Sequence, residues 1–184
     1  MIKTVFLDMD EVLVSFNRGV CNYFNIPYQY ENFTKNYKWF PEIGQTYESV
    51  SAICNTKFWQ NLNWMHDGHD ILRLVASVFR PEQIYLLTTP MPNPDSYTGK
   101  ALWVQRYLSE YSERLIVTAI PKSLFAKPDT LLIDDKDENV NEFHEAGGRG
   151  LLVPRPWNAD YGMAHHTLEV VCDRLEDHLS CQES

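Results

Sequence analysis

The chain has 184 residues, 44% of them hydrophobic and 22% charged, with a net charge of −9. This is the balance of an ordinary globular protein with room for one sizeable core, and the surplus of acid excludes long nucleic acid as a natural partner, because such binding demands basic surface. No stretch approaches the roughly 20 apolar residues of a membrane span, and acid arrives too early for a signal peptide, at Asp8, so cytoplasmic residence is the expectation.

The chain opens on a predicted strand over residues 2–7, an apolar run that stops on Asp8 and Asp10. Two carboxylates one residue apart then stand at the C-terminal edge of a sheet, where open α/β sheets build their sites. The spacing divides the labour. Asp8 can serve as nucleophile and metal ligand, while Asp10, after a turn, offers a backbone carbonyl to the metal and a side chain for acid/base work. Taken alone, the pair would be explained better by a solvated turn with a helix cap.

Residues 15–68 are too long for a simple crossover and carry 13 of the chain's 24 aromatics. Residues 15–65 hold four basic residues (Arg18, Lys35, Lys38, Lys57) against three acidic ones (Glu31, Glu42, Glu48), so the rest of the chain carries −10. The expectation is an inserted helical cap over the site edge, with residues 1–14 and 69–184 forming the core domain. Most of its aromatics would pack the cap's own interior.

Beyond the cap, strands alternate with helices, the pattern of a parallel, doubly wound α/β sheet. Residues 69–79 place Ile71, Leu72, Val75, Val78 and Phe79 on one helical face. The strand at 83–88 ends in Thr88 and Thr89, whose hydroxyl and amide donors suit a phosphate. A helix over 98–108 follows, with Thr98 as N-cap and Ala101, Val104 and Leu108 inward. The strand at 114–119 leads to Lys122. Lys122 lies past a strand's C-terminal end, whereas Lys127 precedes the next strand and falls at the opposite edge, so Lys122 is the candidate. The run 130–133 ends in a second acid pair, Asp134 and Asp135, which overturns the bland explanation of the first. A helix over 137–146, with Val140, Phe143 and Ala146 packed, stops at Gly147-Gly148. Strand 149–153 and a tail helix over 164–179 complete the chain.

Other signals carry less. Cys21, Cys54, Cys172 and Cys181 show neither C-x-x-C pairing nor zinc spacing and are expected to be reduced. His66 and His69, flanked by Asp67 and Asp70, read as a loop and helix start, and His165, His166 and His178 as solvated. Gly147-Gly148-Arg149-Gly150 reads as a turn. Arg155, just past the fifth strand, fits either a substrate contact or a surface ion pair.

The order D-x-D, Thr, Lys, Asp-Asp, each at a strand end, resembles the haloacid dehalogenase superfamily of phosphohydrolases. That resemblance implies an aspartyl-phosphate formed on Asp8, with Asp10 as acid and then base. It implies phosphoryl oxygens held by Thr88, Thr89 and Lys122, and Mg²⁺ held by Asp8, the Asp10 carbonyl and Asp134, with Asp135 nearby. It also implies strand order 5-4-1-2-3. Acid at position 10 favours ester hydrolysis over dehalogenation. The segments around Asp8–Phe16, Leu87–Pro90, Ser96–Val104, Leu132–Asp135 and Val153–Asn158 look like the 5′(3′)-deoxyribonucleotidases. In those enzymes an aromatic eight residues past the nucleophile lines the base pocket. That residue is Phe16 here, with Trp59, Phe58 and Trp64 as further aromatic candidates and Arg155 as a polar one. The expected partner is a small phosphomonoester, with nucleoside monophosphates foremost. A phosphatase for sugar or polyol phosphates, or an idle ligand-binding protein on the same fold, are the alternatives.

Overall fold

Five aliphatic runs become strands: β1 (Thr4–Leu7), β2 (Ile84–Thr88), β3 (Leu115–Val117), β4 (Thr130–Asp134) and β5 (Arg149–Leu152). All pair in parallel in the order β3-β2-β1-β4-β5, which is the expected order read from the other edge. The computed structural model describes residues 1–30, 33 and 39–180; Glu31, Lys35, Lys38 and Cys181 lie outside them. Between the strands run α1 (Phe16–Tyr23), α2 (Tyr47–Ile53), α3 (Thr56–Gln60), α4 (Gly68–Val78), α5 (Pro94–Tyr107), α6 (Asp137–Glu145) and α7 (Thr167–Ser180). None of these is long and apolar enough to cross a membrane.

Because side chains alternate across a strand, each run feeds two faces. Val5, Leu7, Ile84, Leu86, Leu131 and Ile133 enter the larger core beneath α4, α5 and α7. Phe6, Leu87 and Leu132 point the other way, onto Phe143 of α6. A sheet covered on both faces explains why these strands read as unbroken apolar runs.

Register sets the site. Leu7 pairs with Leu86 on one side and with Ile133 on the other. The residues that follow, Asp8 and Asp134, therefore leave the sheet side by side, and the Asp8 amide donates to the Ile133 carbonyl at 2.9 Å.

Several boundaries differ from expectation. The helix after β2 begins at Pro94, with Asn93 as N-cap accepting from the Ser96 amide at 2.8 Å. Thr98 is an interior residue of that helix. Proline at the first helical position, after an Asn cap, outcompetes the later threonine. The buried stripe is accordingly Ser96, Gly99, Lys100, Trp103 and Val104, and Ala101 faces solvent. Val78 and Ala146, expected inside, lie at helix ends and are exposed. His178 is half-buried, its Nε2 lying 3.3 Å from the Gly150 carbonyl. Cys21, Cys54 and Cys172 are free thiols.

Helices α1, α2 and α3 lie between β1 and α4 in the chain, and α3 packs along α5. Gly99 permits that approach: a Cβ there would stand 2.3 Å from Trp59 Cβ and 2.9 Å from the Thr56 carbonyl oxygen.

Candidate active site

The turn after β1 is one tight coil. The amides of Leu13 and Val14 both donate to the Met9 carbonyl at 2.8 Å, and the Glu11 amide donates to the Val14 carbonyl. This coil turns Asp10 back over the sheet edge, beside Asp8.

Three carboxylates, from Asp8, Asp134 and Asp135, converge so that one oxygen from each lies within 4.8 Å of the others, and all three residues are buried. Lys122, in the short turn after β3, sits between two of them: Nζ is 2.7 Å from Asp8 Oδ1 and 2.6 Å from Asp134 Oδ2. Lys127 is exposed. Asp134 is fixed by further donors, the Lys136 amide at 2.9 Å and Asn139 Nδ2 at 3.0 Å. Asp135 Oδ2 accepts from the indole N–H of Trp157 at 2.6 Å, and its carbonyl accepts from Asn158 Nδ2 at 2.8 Å.

Burial dominates the charge state. It pushes the Asp8 carboxyl up to about 7, with Asp134 and Asp10 adding repulsion and Lys122 opposing. Asp135 is raised well above the usual carboxylate range for the same reason, with Asp134 as the next cause. Burial works against the charge on Lys122, but Asp134 and Asp8 outweigh it and hold the ammonium above its ordinary value. Oxygens Asp10 Oδ1 and Asp135 Oδ1 are buried with no hydrogen-bond partner among the described residues. An all-oxygen cluster carrying orphaned acceptors is the donor set that a hard divalent cation such as Mg²⁺ takes.

A cationic residue that the sequence patterns did not mark also belongs here. Lys100, 1% exposed, sends Nζ from α5 to Asp10 Oδ2 at 2.6 Å and to Thr88 Oγ1 at 3.0 Å. Its ammonium also lies 4.5 Å from the centre of the Trp59 ring. The available signal was a lysine on the inward stripe of a helix that follows the threonine strand.

The acids floor a cleft of about 1100 Å³, walled by Phe16, Trp59, Trp39, Phe40, Met91 and Trp157 among others. Phe16 and Trp59 stack on each other, centroids 5.1 Å apart and planes 15° from parallel. Trp64 instead stacks on His69 at 3.7 Å, outside the cleft lining. Thr89 lines the cleft, whereas Thr88 is fully buried and its hydroxyl is turned to Lys100.

Arg155 is neither a cleft residue nor a surface ion pair. It is fully buried; its guanidinium grips Asp67 through two donors at 2.7 and 3.0 Å, and Nε donates to the Glu11 carbonyl at 2.7 Å. A bidentate pair of this kind ties the start of α4 to the loop after β5 and to the β1 turn. Glu11 itself, at φ +59°, is 4% exposed, and burial pushes its carboxyl up to about 8.

Two solved structures share this architecture. A haloacid dehalogenase-like family hydrolase from Streptococcus pneumoniae matches with a TM-score of 0.52 at 17% identity, over 94% of this chain and 98% of that one. A HAD family hydrolase from Deinococcus radiodurans, solved with bound phosphate and sodium, matches with a TM-score of 0.53 at 13% identity, over 92% and 88%. The fold is thus that of the haloacid dehalogenase-like hydrolases. No curated protein matches the chain by sequence. The model of the family "5′ nucleotidase, deoxy (Pyrimidine), cytosolic type C protein" matches residues 1–170, and the chain belongs to that family of phosphoric monoester hydrolases.

Proposed function

We propose that the protein is a Mg²⁺-dependent nucleotidase that hydrolyses deoxynucleoside monophosphates through an aspartyl-phosphate on Asp8, with the helices between β1 and α4 acting as a cap. The observation that supports this most is the pairing of a buried carboxylate–lysine floor with aromatic walls in one cleft. Phosphate chemistry needs the floor, and a flat apolar nucleobase needs the walls.

In this proposal an Asp8 carboxylate oxygen attacks phosphorus as the bond to the ester oxygen breaks, and Asp10 delivers a proton to that leaving oxygen. Asp10 then takes a proton from water as the water oxygen attacks phosphorus, which releases inorganic phosphate and restores Asp8. Lys100 holds Asp10 through Oδ2, leaving Oδ1 free toward the reacting atoms. Lys122 neutralises anionic charge beside Asp8, and Thr89 offers donors at the cleft surface. Asp8, Asp134, Asp135 and the Asp10 carbonyl would hold Mg²⁺. The cation supplies the charge that lets a carboxylate approach a phosphate dianion.

The test is phosphate release, with Mg²⁺ and with EDTA, across 5′- and 3′-(deoxy)nucleoside monophosphates and sugar phosphates. The expected result is metal-dependent turnover concentrated in the deoxynucleotides. Turnover on sugar phosphates alone would discard the base pocket and keep the chemistry, and absence of turnover on every member would discard both.

A further inference from the structure

Glu11 occupies a backbone position suited to glycine. Its φ of +59° lies in the left-handed region, where a side chain meets its own backbone and glycine does not. The side chain is nearly fully buried, yet it lines the cleft beside Asp8, Asp10 and Phe16. One oxygen, Oε1, accepts from the Asn17 amide at 2.6 Å, at the start of α1, and the neighbouring Phe16 amide also favours the carboxylate. The other, Oε2, has no hydrogen-bond partner among the described residues.

The Asn17 bond gives Oε1 a structural task at the start of α1, and Oε2 has none. Ser15, the N-cap of α1, makes no side-chain capping bond, although serine is well suited to do so. A glutamate that is strained in backbone, buried, and half unsatisfied is a cost of the kind found where a site makes use of it. A group on what enters the cleft would supply the partner that the described residues do not.

Two facts choose the partner. Glu11 follows the nucleophile by three residues, so their Cα atoms are at most about 11 Å apart. The group it meets is then attached close to the phosphate, which in a nucleotide means the sugar and not the far edge of the base. A hydroxyl also both donates and accepts, so it satisfies Oε2 whether the carboxyl is neutral or charged, which a base N–H does not. We propose that Glu11 is a specificity-determining residue whose Oε2 hydrogen-bonds the 3′-hydroxyl of a nucleoside 5′-monophosphate. This assignment rests on the nucleotidase proposal above.

The experiment compares kcat/KM for a 2′-deoxynucleoside 5′-monophosphate and its 2′,3′-dideoxy counterpart in wild type, Glu11→Gly and Glu11→Gln. Wild type should prefer the hydroxylated substrate by about tenfold or more, because its absence strands a buried carboxyl. Glu11→Gly, which accepts φ +59° without strain, should bring the ratio to near one. Glu11→Gln keeps a polar atom in place and should retain most of the preference. Equal wild-type rates on the two substrates, an unchanged ratio in Glu11→Gly, or equal loss in Glu11→Gln would each overturn the assignment. The wild-type comparison decides even where a variant does not fold. If wild type hydrolyses aryl phosphate but neither nucleotide, the nucleotidase proposal has failed; if it hydrolyses both nucleotides equally, only the role of Glu11 has.

Discussion

Lys100 and Asp10 form a nearly buried ion pair, Nζ to Oδ2 at 2.6 Å, although 90 residues separate them in the chain. The lysine is 1% exposed and is braced by Thr88 Oγ1 and the Trp59 ring. Such a clamp fixes the direction of the one free oxygen of Asp10. Replacing Lys100 with Met should lower kcat about tenfold to a hundredfold, within the range that acid/base groups contribute, and should shift the pH profile of kcat. An unchanged profile with a small loss in kcat would reduce Lys100 to a packing residue.

Asp8→Asn retains the side chain's shape and the contact with Lys122 but removes the proposed nucleophile. Turnover should fall below detection while the variant keeps a cooperative thermal transition. Substantial residual turnover would reassign the attack to another group.

Metal binding should release protons. Burial raises the Asp8 pKa from 3.8 to about 7 in the metal-free protein, and a carboxyl must deprotonate to bind a cation. Affinity for Mg²⁺ should therefore rise between about pH 5.5 and about pH 8, with proton release visible by calorimetry in buffers of different ionisation heat. The sign for stability follows from the same shift. The folded state holds the Asp8 proton more tightly than the unfolded state does, so this contribution is present below pH 3.8 and is lost as pH rises toward about 7. In EDTA the melting temperature should fall across that window and recover on adding Mg²⁺. An affinity for Mg²⁺ flat in pH would contradict the raised carboxyl.

How much of this was legible in the sequence follows a physical line. Asp8 and Asp134 could be found because an apolar run ending on acid is a local pattern, and parallel register then brings the two together. Lys122 could be ranked over Lys127 because strand direction alone separates them. Lys100 could not, since Ala101 and Lys100 both lie within one turn of the inward Val104, and apolar patterning selects the alanine where the structure buries the lysine. Arg155 also escaped, because its partner Asp67 lies 88 positions away and no periodicity links them. The strain at Glu11 is a dihedral angle, which no residue pattern displays.

Trp157 joins the cleft wall to the acid cluster. Its indole N–H donates to Asp135 Oδ2 at 2.6 Å while its ring packs edge-on against Tyr30 and Phe33. Trp157→Phe keeps an aromatic ring there and deletes only the donor. Removing such a partner from a ligating side chain weakens metal binding by about ten- to a hundredfold, which a Mg²⁺ titration of stability and of activity would measure. Equal affinity in the two proteins would show that Asp135 needs no orientation by the indole.

Phe16 is the sharpest test of the base pocket, because its ring is already stacked on Trp59 at 5.1 Å and is only partly buried. Trp59 is 2% exposed, so of this pair Phe16 is the ring with surface to offer a ligand. Phe16→Leu preserves apolar bulk at the mouth of α1 and removes the flat face. An aromatic pair is worth roughly 0.5–1.5 kcal/mol beyond burial, so KM for a deoxynucleoside 5′-monophosphate should rise about three- to tenfold. Deoxyribose 5-phosphate, which carries the same phosphate and sugar without a base, controls for damage to the floor, and its KM should stay within about twofold of wild type. A rise of equal size on both substrates would place the effect on the acid cluster and remove Phe16 from base recognition. A rise confined to the nucleotide, with kcat unchanged, would show that the ring binds ground state and transition state alike, as a wall remote from phosphorus must.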